Sequence, residues 1–176
     1  MATRRAWVRG AALAAMAATA LAGCGFRLRG AGLRFAFRTL RVQAGADSDV
    51  LQRLRAQLQA AGVAVLDATA RGPDGEAAVP DVILQVLQDQ RERVVVGTTA
   101  AGQVRELALR RRVRFALRTP GGRELIAPTE LLQERELSFS ETVVLGKEAE
   151  EALLFDDMRT AIVRQLLVRL SAVSAL

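Results

Sequence analysis

The chain has 176 residues, of which 51% are hydrophobic, 25% charged and 4% aromatic, and it contains one cysteine and no histidine. Without histidine, Ser-His-Asp and Cys-His catalytic sites are excluded, and a single cysteine can form neither an internal disulfide nor a thiolate cluster for zinc. The net charge of +6 comes from 25 cationic residues, all but one of them arginine. A G+C-rich codon supply would also produce this arginine content, so the charge alone does not indicate a nucleic-acid partner.

Residues 1–23 have the pattern of a secretory signal peptide. Three arginines within residues 1–10 precede the apolar stretch 11–21, which is shorter than the roughly 20 residues that a membrane-spanning helix needs. The stretch ends in a Leu-Ala-Gly-Cys motif at Cys24, which resembles the lipobox of bacterial lipoproteins. The resemblance implies cleavage before Cys24, acylation of this cysteine and, because Gly25 follows instead of aspartate, retention in the outer membrane. Removal of the three arginines lowers the net charge from +6 to +3.

The next part of the chain predicts one strand, one helix and one short extended segment. Leu51, Leu54 and Leu58 lie on one face of the helix, with polar residues turned outward. In chain order, the predicted segments are a strand at residues 38–43, a helix that begins at Asp47 or Ser48 and ends at Gly62, an extended segment at 63–66 and a loop at 70–80.

Three long strands and a second helix follow. Their predicted ranges are 81–96, 104–118 and 123–140 for the strands and 147–173 for the helix. Within 104–118, apolar and basic residues alternate, and only Arg111 breaks the alternation, which predicts one buried face and one wet, basic face. The polar middle of the first long strand predicts a bend or a bulge. Pro128 predicts a bulge or an edge in the third strand.

The turn between the second and third long strands suggests how these two strands pair. If Thr119 lies opposite Arg123, then Leu117 faces Leu125. The arginines then face glutamates, Arg118 with Glu124 and Arg112 with Glu130. The predicted fold class is α/β (α+β), a two-layer sandwich of two helices packed on a four-stranded, largely antiparallel sheet. We assign this single domain to residues 33–176, after a lipidated N-terminal segment at residues 24–32.

Several clusters of charged side chains allow a chemical and a structural interpretation. The acidic residues at the start of the second helix could form a carboxylate pair for glycoside cleavage, but favourable interaction with the helix dipole is the simpler explanation. These residues are Glu148, Glu150, Glu151, Asp156 and Asp157. A Ser-Lys dyad would have to use Lys147, and Ser138 and Ser140 lie beyond a predicted turn at Gly146.

The basic face of residues 104–118, together with Arg91 and Arg93, could bind phosphate groups, because guanidinium grips phosphate with two hydrogen bonds. The alternative is a solvated sheet face crossed by ion pairs, and the residue pattern leaves both open. Nucleic acid is not expected as a partner, because the chain is predicted to be exported and lacks interleaved aromatic residues for base stacking.

Taken together, these segments resemble the LPS-assembly lipoprotein LptE family. The resemblance rests on residues 24–30 (CGFRLRG), 95–97 (VVG) with Gly102 and 106–107 (EL), 145–151 (LGKEAEE) and the closing helix 158–170. It implies a lipoprotein on the inner leaflet of the outer membrane that sits as a plug inside its partner, the LptD β-barrel. In that role it helps the barrel to assemble and lipopolysaccharide to reach the cell surface, without enzymatic activity or a cofactor.

The same resemblance implies contacts between basic residues and lipopolysaccharide. The candidates are Lys147, Arg91, Arg93 and Arg105. The hairpin loop between Gly97 and Gly102 lacks the arginine that some relatives carry there, which weakens the expected lipid contact at this loop. Two other functions stay open: a stand-alone periplasmic lipoprotein that binds a ligand or polymer, and an enzyme that works with carboxylates alone.

Overall fold

A computed structural model describes residues 33–44, 48–67, 69–72, 75–138 and 144–176. The predicted signal peptide, Cys24 and the segment 24–32 lie outside these residues. The elements are strand β1 (Thr39–Ala44), helix α1 (Asp49–Ala60), strands β2 (Ala64–Leu66), β3 (Val82–Thr98), β4 (Val104–Arg118) and β5 (Glu124–Ser138), and helix α2 (Val144–Ser171). Among the described residues, no helix is both long and apolar enough to cross a membrane.

The five strands form one mixed sheet in the order β2-β1-β3-β4-β5. Strand β1 runs parallel to both β2 and β3, whereas β3, β4 and β5 pair antiparallel. The prediction of four strands in a largely antiparallel sheet was therefore wrong in two respects. The extended segment after α1 adds a fifth strand, and the first strand is parallel to its neighbours. Helix α1 makes this possible, because a connection between parallel strands must travel back along the sheet.

Helix α1 begins and ends where the sequence pattern indicates. Ser48 is the N-cap, and its hydroxyl accepts a hydrogen bond from the Leu51 N–H at 3.2 Å. The side chains of Val50, Leu51, Leu54 and Leu58 are buried. Gly62 follows the helix with a φ of +84°, a left-handed conformation that glycine adopts without strain.

Both bulges that the sequence predicts are present. In β3, the pairing with β4 shifts between Val86 and Gln88. The pairing of β5 with β4 shifts on both sides of the pair Leu117–Ile126. This irregular segment of β5 includes Pro128. Because of this shift, Leu117 lies opposite Ile126 and not opposite Leu125, so that part of the predicted pairing was wrong.

The predicted contacts between arginines and glutamates across β4 and β5 are present in part. Arg118 lies opposite Glu124 as expected. Arg112 lies opposite Leu132, but its Nη1 reaches Glu130 Oε1 at 2.7 Å. The ion pair therefore forms diagonally, to a glutamate two residues before the one directly opposite Arg112.

The core between the helices and the sheet consists of two apolar clusters. The larger cluster contains Leu40, Leu84 and Phe115 from the sheet, and residues of both helices pack on it. The smaller cluster lies towards the β3–β4 hairpin and contains Leu107, Leu109, Leu137, Phe155 and Met158. On β4, Arg111 lies between the residues of the two clusters, with a side chain that is only 2% exposed. A buried guanidinium thus separates the two parts of the core.

Asp81 joins β1 to β3 at their first residues. Its Oδ2 accepts hydrogen bonds from the backbone N–H groups of Arg38 at 2.8 Å and Thr39 at 2.9 Å. In return, the Asp81 N–H donates to the Thr39 hydroxyl at 2.8 Å. The two backbone N–H groups stabilise the carboxylate and lower the pKa of Asp81 below its ordinary value of 3.8. The charged form of Asp81 therefore holds the parallel pair in register.

We expect Asp81→Ala to destabilise the protein by about 2 kcal/mol at pH 7, because hydrogen bonds to a charged group contribute roughly that much. The lowered pKa of Asp81 means that its contribution is complete above the unfolded value near 4 and is lost as pH falls through the folded pKa. Urea unfolding of both proteins between pH 7 and pH 3 measures the difference. Asp67→Ala, at an exposed position, is the control, and a gap that stays constant down to pH 3 would contradict this role for Asp81.

Candidate functional site

A shallow groove lies between β3 and the N-terminal half of α2. Its volume is about 340 Å³. The residues that line it are Arg91, Arg93, Glu148, Glu151, Ala152 and Phe155. Two guanidinium groups from the sheet thus face two carboxylates and an aromatic ring from the helix.

The bulge in β3 places Arg91 and Arg93 in this groove. Beyond the bulge, Arg91 lies opposite Arg111 and Arg93 lies opposite Leu109, whose side chains face the helices. Cross-strand partners share a face of the sheet, so both arginines also face the helices. The prediction that Arg91 and Arg93 extend the wet, basic face of β4 was therefore wrong.

The two groove arginines have different partners. Arg91 forms an ion pair with Asp49, and its guanidinium carbon lies 5.4 Å from the centre of the Phe155 ring, which is cation–π geometry. Arg93 Nη2 lies 3.1 Å from Glu151 Oε2. The side chains remain 50% and 56% exposed, respectively. Guanidinium has five N–H donors, so both can still bind an anionic group from solvent.

The other two candidate contacts do not line the groove. Lys147 Nζ donates to Glu150 Oε2 at 2.7 Å and to Ser138 Oγ at 3.2 Å, and its side chain is only 20% exposed. The structure thus brings Lys147 next to Ser138, and Lys147 also forms an ion pair with Glu150. The turn predicted at Gly146 is wrong, because Gly146 lies within α2. Arg105 is exposed on β4, near the hairpin, and its side chain has no hydrogen-bond or ion-pair partner within the described part of the chain.

A charge network continues from the groove into the core. Arg111 Nη2 donates to Asp89 Oδ1 at 2.8 Å and to Asp49 Oδ1 at 2.7 Å. Asp49 also binds Arg91 and, at 3.3 Å, Arg159 of α2. The network therefore connects α1, β3, β4 and α2 through their side chains.

The electrostatics of this network favour a charged Asp49. Burial raises the pKa of Asp49, but the hydrogen bond from Arg111 and the positive charges of Arg111, Arg91 and Arg159 outweigh it. The net effect is a pKa below the ordinary value of 3.8. The network was not predicted from the sequence, although Arg111 is the one residue that breaks the alternation in β4. The alternation assigns position 111 to the core, so a cation at this position was a signal for a buried charge network.

Four of the five acidic residues in this cluster of α2 form ion pairs. The pairs are Glu150 with Lys147, Glu151 with Arg93, Asp156 with Arg53 and Arg159, and Asp157 with Arg135. The helix begins at Val144, its first turn has no acidic residue, and Asp156 lies about three turns further along. The predicted interaction with the helix dipole is therefore not the main reason for this cluster, since most of these carboxylates bind cations on neighbouring elements.

The face of the sheet that points away from the helices carries a ladder of ion pairs. They join Arg110 to Glu134, Arg112 to Glu92 and Glu130, and Arg118 to Glu124, with N–O distances between 2.7 and 3.7 Å. This is the arrangement that the solvated-face interpretation predicts. We use the term outer face for this side of the sheet.

The buried network allows a test by a double-mutant cycle. We expect Arg111→Met to destabilise the protein by about 3 kcal/mol, because it leaves the carboxylates of Asp49 and Asp89 close together without their shared cation. Asp89→Leu in the same protein should restore most of this loss, since Asp49 keeps Arg91 and Arg159. Urea unfolding of the two single variants and the double variant measures the coupling energy. Additive effects of the two substitutions would show that the network is not a unit.

Comparisons with known proteins identify the family of this chain. The model of the LptE family, described as lipopolysaccharide-assembly, matches residues 37–170. A solution NMR structure of lipoprotein B from Nitrosomonas europaea is 28% identical to the chain, with a TM-score of 0.68, and the match covers 84% of this chain and 91% of that one. No curated protein sequence matches the chain.

Two crystal structures share the fold at lower identity. A minor lipoprotein from Acinetobacter baumannii is 21% identical, with a TM-score of 0.59, over 79% of this chain and 94% of that one. Rare lipoprotein B from Shewanella oneidensis is 23% identical, with a TM-score of 0.55, over 75% and 89%. The family match spans both helices and nearly the whole sheet, so the chain belongs to the LptE lipopolysaccharide-assembly family.

Proposed function

We propose that this protein is an outer-membrane lipoprotein that, together with an LptD-type β-barrel, assembles lipopolysaccharide at the cell surface. In this role it is a plug and an assembly factor and has no enzymatic activity. The observation that carries the proposal is the family match over residues 37–170. The lipoprotein from Nitrosomonas europaea, at 28% identity, supports the same assignment.

The proposed anchor is the acylated Cys24, after removal of the signal peptide at residues 1–23. One acyl chain alone binds a membrane only marginally, whereas several chains on one residue anchor a protein almost permanently. The segment 24–32 then connects the anchor to the domain at residues 33–176. This arrangement tethers the folded domain to the outer membrane from its periplasmic side.

The outer face of the sheet suits a plug inside a water-filled barrel. The lumen of such a barrel is polar, so a protein that fills it needs a hydrophilic surface with charges of both signs. The ladder of arginines and glutamates on β4 and β5 provides such a surface. Exposed ion pairs of this kind contribute little to stability, at most about 1 kcal/mol each, which leaves them free to exchange partners at an interface.

The groove between β3 and α2 is the proposed contact site for lipopolysaccharide. A lipid with phosphate groups and acyl chains needs cationic donors next to apolar surface. Arg91 and Arg93 supply the donors, and Phe155 and Ala152 supply the apolar surface. Lys147 and Arg105 are weaker candidates because both lie outside the groove, and Lys147 is also only 20% exposed.

The partner is tested by gentle solubilisation of membranes from cells that carry a tagged copy of the protein. We expect a large outer-membrane barrel protein to copurify in a stable complex. Recovery of the protein only as a free monomer would contradict the plug function. High-affinity binding of a cell-wall polymer by that monomer would then favour the stand-alone alternative.

The anchor is tested by Cys24→Ser. We expect this variant to lose acylation and to move from the membrane fraction to the soluble periplasmic fraction, because the acyl chains provide the membrane affinity. Intact mass spectrometry of the wild-type protein should show a chain that begins at Cys24 and carries acyl groups. An unmodified chain that keeps residues 1–23 would rule out the lipoprotein assignment.

The groove is tested by binding of lipopolysaccharide to the purified full-length protein. We expect Arg91→Gln and Arg93→Gln each to weaken binding by about tenfold, which corresponds to roughly 1.4 kcal/mol for a lost charged contact. Arg114→Gln, on the outer face, is the matched control and should change binding by less than about twofold. Equal losses in all three variants would indicate a general charge effect and not a site.

A further inference from the structure

Within the described part of the chain, no strand pairs with the outer side of β5, so one edge of the sheet is open over an unusual length. Strand β5 has 15 residues and lies last in the strand order. Most strands have about 3 to 10 residues, and proteins commonly keep edge strands short, because unpaired backbone groups recruit other strands. At the opposite edge, β2 follows this rule with three residues. The length of β5 therefore needs an explanation.

Two carbonyl groups show which residues of β5 direct their backbone N–H and C=O groups towards this open edge. The Leu132 carbonyl accepts a hydrogen bond from its neighbour Gln133 at 3.1 Å, and the Glu134 carbonyl accepts one from Arg135 at 2.8 Å. These carbonyls are two residues apart and therefore point to the same side of the strand. Side chains occupy the positions where the N–H groups of a further strand would bind.

The pairing with β4 gives the same assignment independently. At the turn, the Thr119 N–H donates to the Arg123 carbonyl at 2.9 Å. Because hydrogen-bonded positions alternate along an antiparallel strand, the odd-numbered residues of β4 bond to β5 and the even-numbered ones bond to β3. Arg112 and Arg110, which lie opposite Leu132 and Glu134, are even-numbered. The backbone groups of Leu132 and Glu134 are therefore directed away from β4.

The side chains along this edge set the kind of strand that could pair with it. On the outer face, β5 presents Glu130, Glu134 and Glu136, with the 41% exposed Leu132 between them. Like charges directly opposite one another destabilise a strand pair, and opposite charges stabilise it. A second copy of β5 would place glutamates against glutamates. A strand with cations at alternate positions would be complementary to this edge. Strand β4 already pairs with β5 in this way on the other side, where Arg110 and Arg112 bind Glu134 and Glu130.

We propose that the β5 edge, from Glu130 to Glu136, binds an extended segment of a partner protein that carries arginine or lysine at alternate positions. The partner strand replaces Gln133 and Arg135 as the donor to the edge carbonyls and places its cations beside the glutamates of the outer face. Pro128 marks the end of the site, because it has no N–H group to offer. This site is separate from the groove and does not depend on the identity of the barrel partner.

The experiment uses the full-length protein and two capped nine-residue peptides, in which valine alternates with arginine or with glutamate. We expect the arginine peptide to bind and to slow hydrogen exchange at the backbone N–H groups of Glu130, Leu132, Glu134 and Glu136. The glutamate peptide should not bind. Glu136→Arg should weaken binding of the arginine peptide by about fivefold, because one favourable cross-strand pair becomes repulsive.

The matched control is Glu106→Arg, which makes the same charge change on the same face of the sheet, one strand away from the edge. A long-range attraction would weaken equally in both variants, and that result would overturn the proposal. Leu132→Pro removes an N–H group that points to the edge and should abolish binding while the fold survives, as Pro128 is tolerated in the same strand. If this variant does not fold, hydrogen exchange in the wild-type protein still decides the question.

Three other outcomes would also overturn the proposal. These are failure of the arginine peptide to bind, protection confined to residues outside β5, and sedimentation that shows a dimer formed through β5. In the first case, the glutamates and Pro128 serve only to keep the edge from aggregating. None of these results bears on copurification with a barrel protein, so the two proposals succeed or fail separately.

Discussion

The buried guanidinium of Arg111 is the contact on which the arrangement of the helices depends. It holds Asp49, the first residue of α1, and Asp89 of β3 at hydrogen-bond distance, and Asp49 in turn binds Arg159 of α2. An unpaired charge at this depth is expensive, so every element that supplies a partner must be in place at once. Apolar contacts alone would allow each helix to slide along the sheet. The network permits one register, and it does so at the boundary between the two apolar clusters.

The same network also fixes the position of an arginine side chain in the groove. Arg91 shares Asp49 with Arg111 and lies over Phe155, so its position is set from two sides although half of its side chain is exposed. Its neighbour Arg93 is held by Glu151 of α2. A cation that is already oriented loses less side-chain entropy when it binds an anion than a free one does. The network beneath the groove therefore fixes the position of Arg91 before any ligand arrives.

Much of this fold follows from the sequence, and the parts that do not follow have identifiable physical causes. The period of two in β4, the leucines of α1 and the capping by Ser48 are local signals, and the structure has these elements at the expected positions. Strand direction is not a local signal, because alternation looks the same in parallel and antiparallel strands. The parallel pairing of β1 and the addition of β2 were missed for this reason.

The site was less predictable because one inserted residue changes which side of the sheet a side chain faces. A bulge in β3 was expected from the polar residues in its middle, but its position decides which face Arg91 and Arg93 share. A shift of one residue moves every following side chain to the other face. The contact of Lys147 with Ser138 depends on how the chain returns from β5 to α2, which no local pattern encodes.

The arginines of the chain fall into classes that composition alone cannot separate. Arg111 is structural and buried, Arg91 and Arg93 are half-exposed in the groove, and Arg110 and Arg112 pair with glutamates on the outer face. Because the last class meets acids from β5, the outer face carries nearly balanced charge. The balance is uneven across the strands, however. The arginines lie inside the sheet on β4, and the glutamates lie at its edge on β5. The chain thus presents two half-exposed arginines beside carboxylates in the groove and a row of glutamates along the edge strand β5.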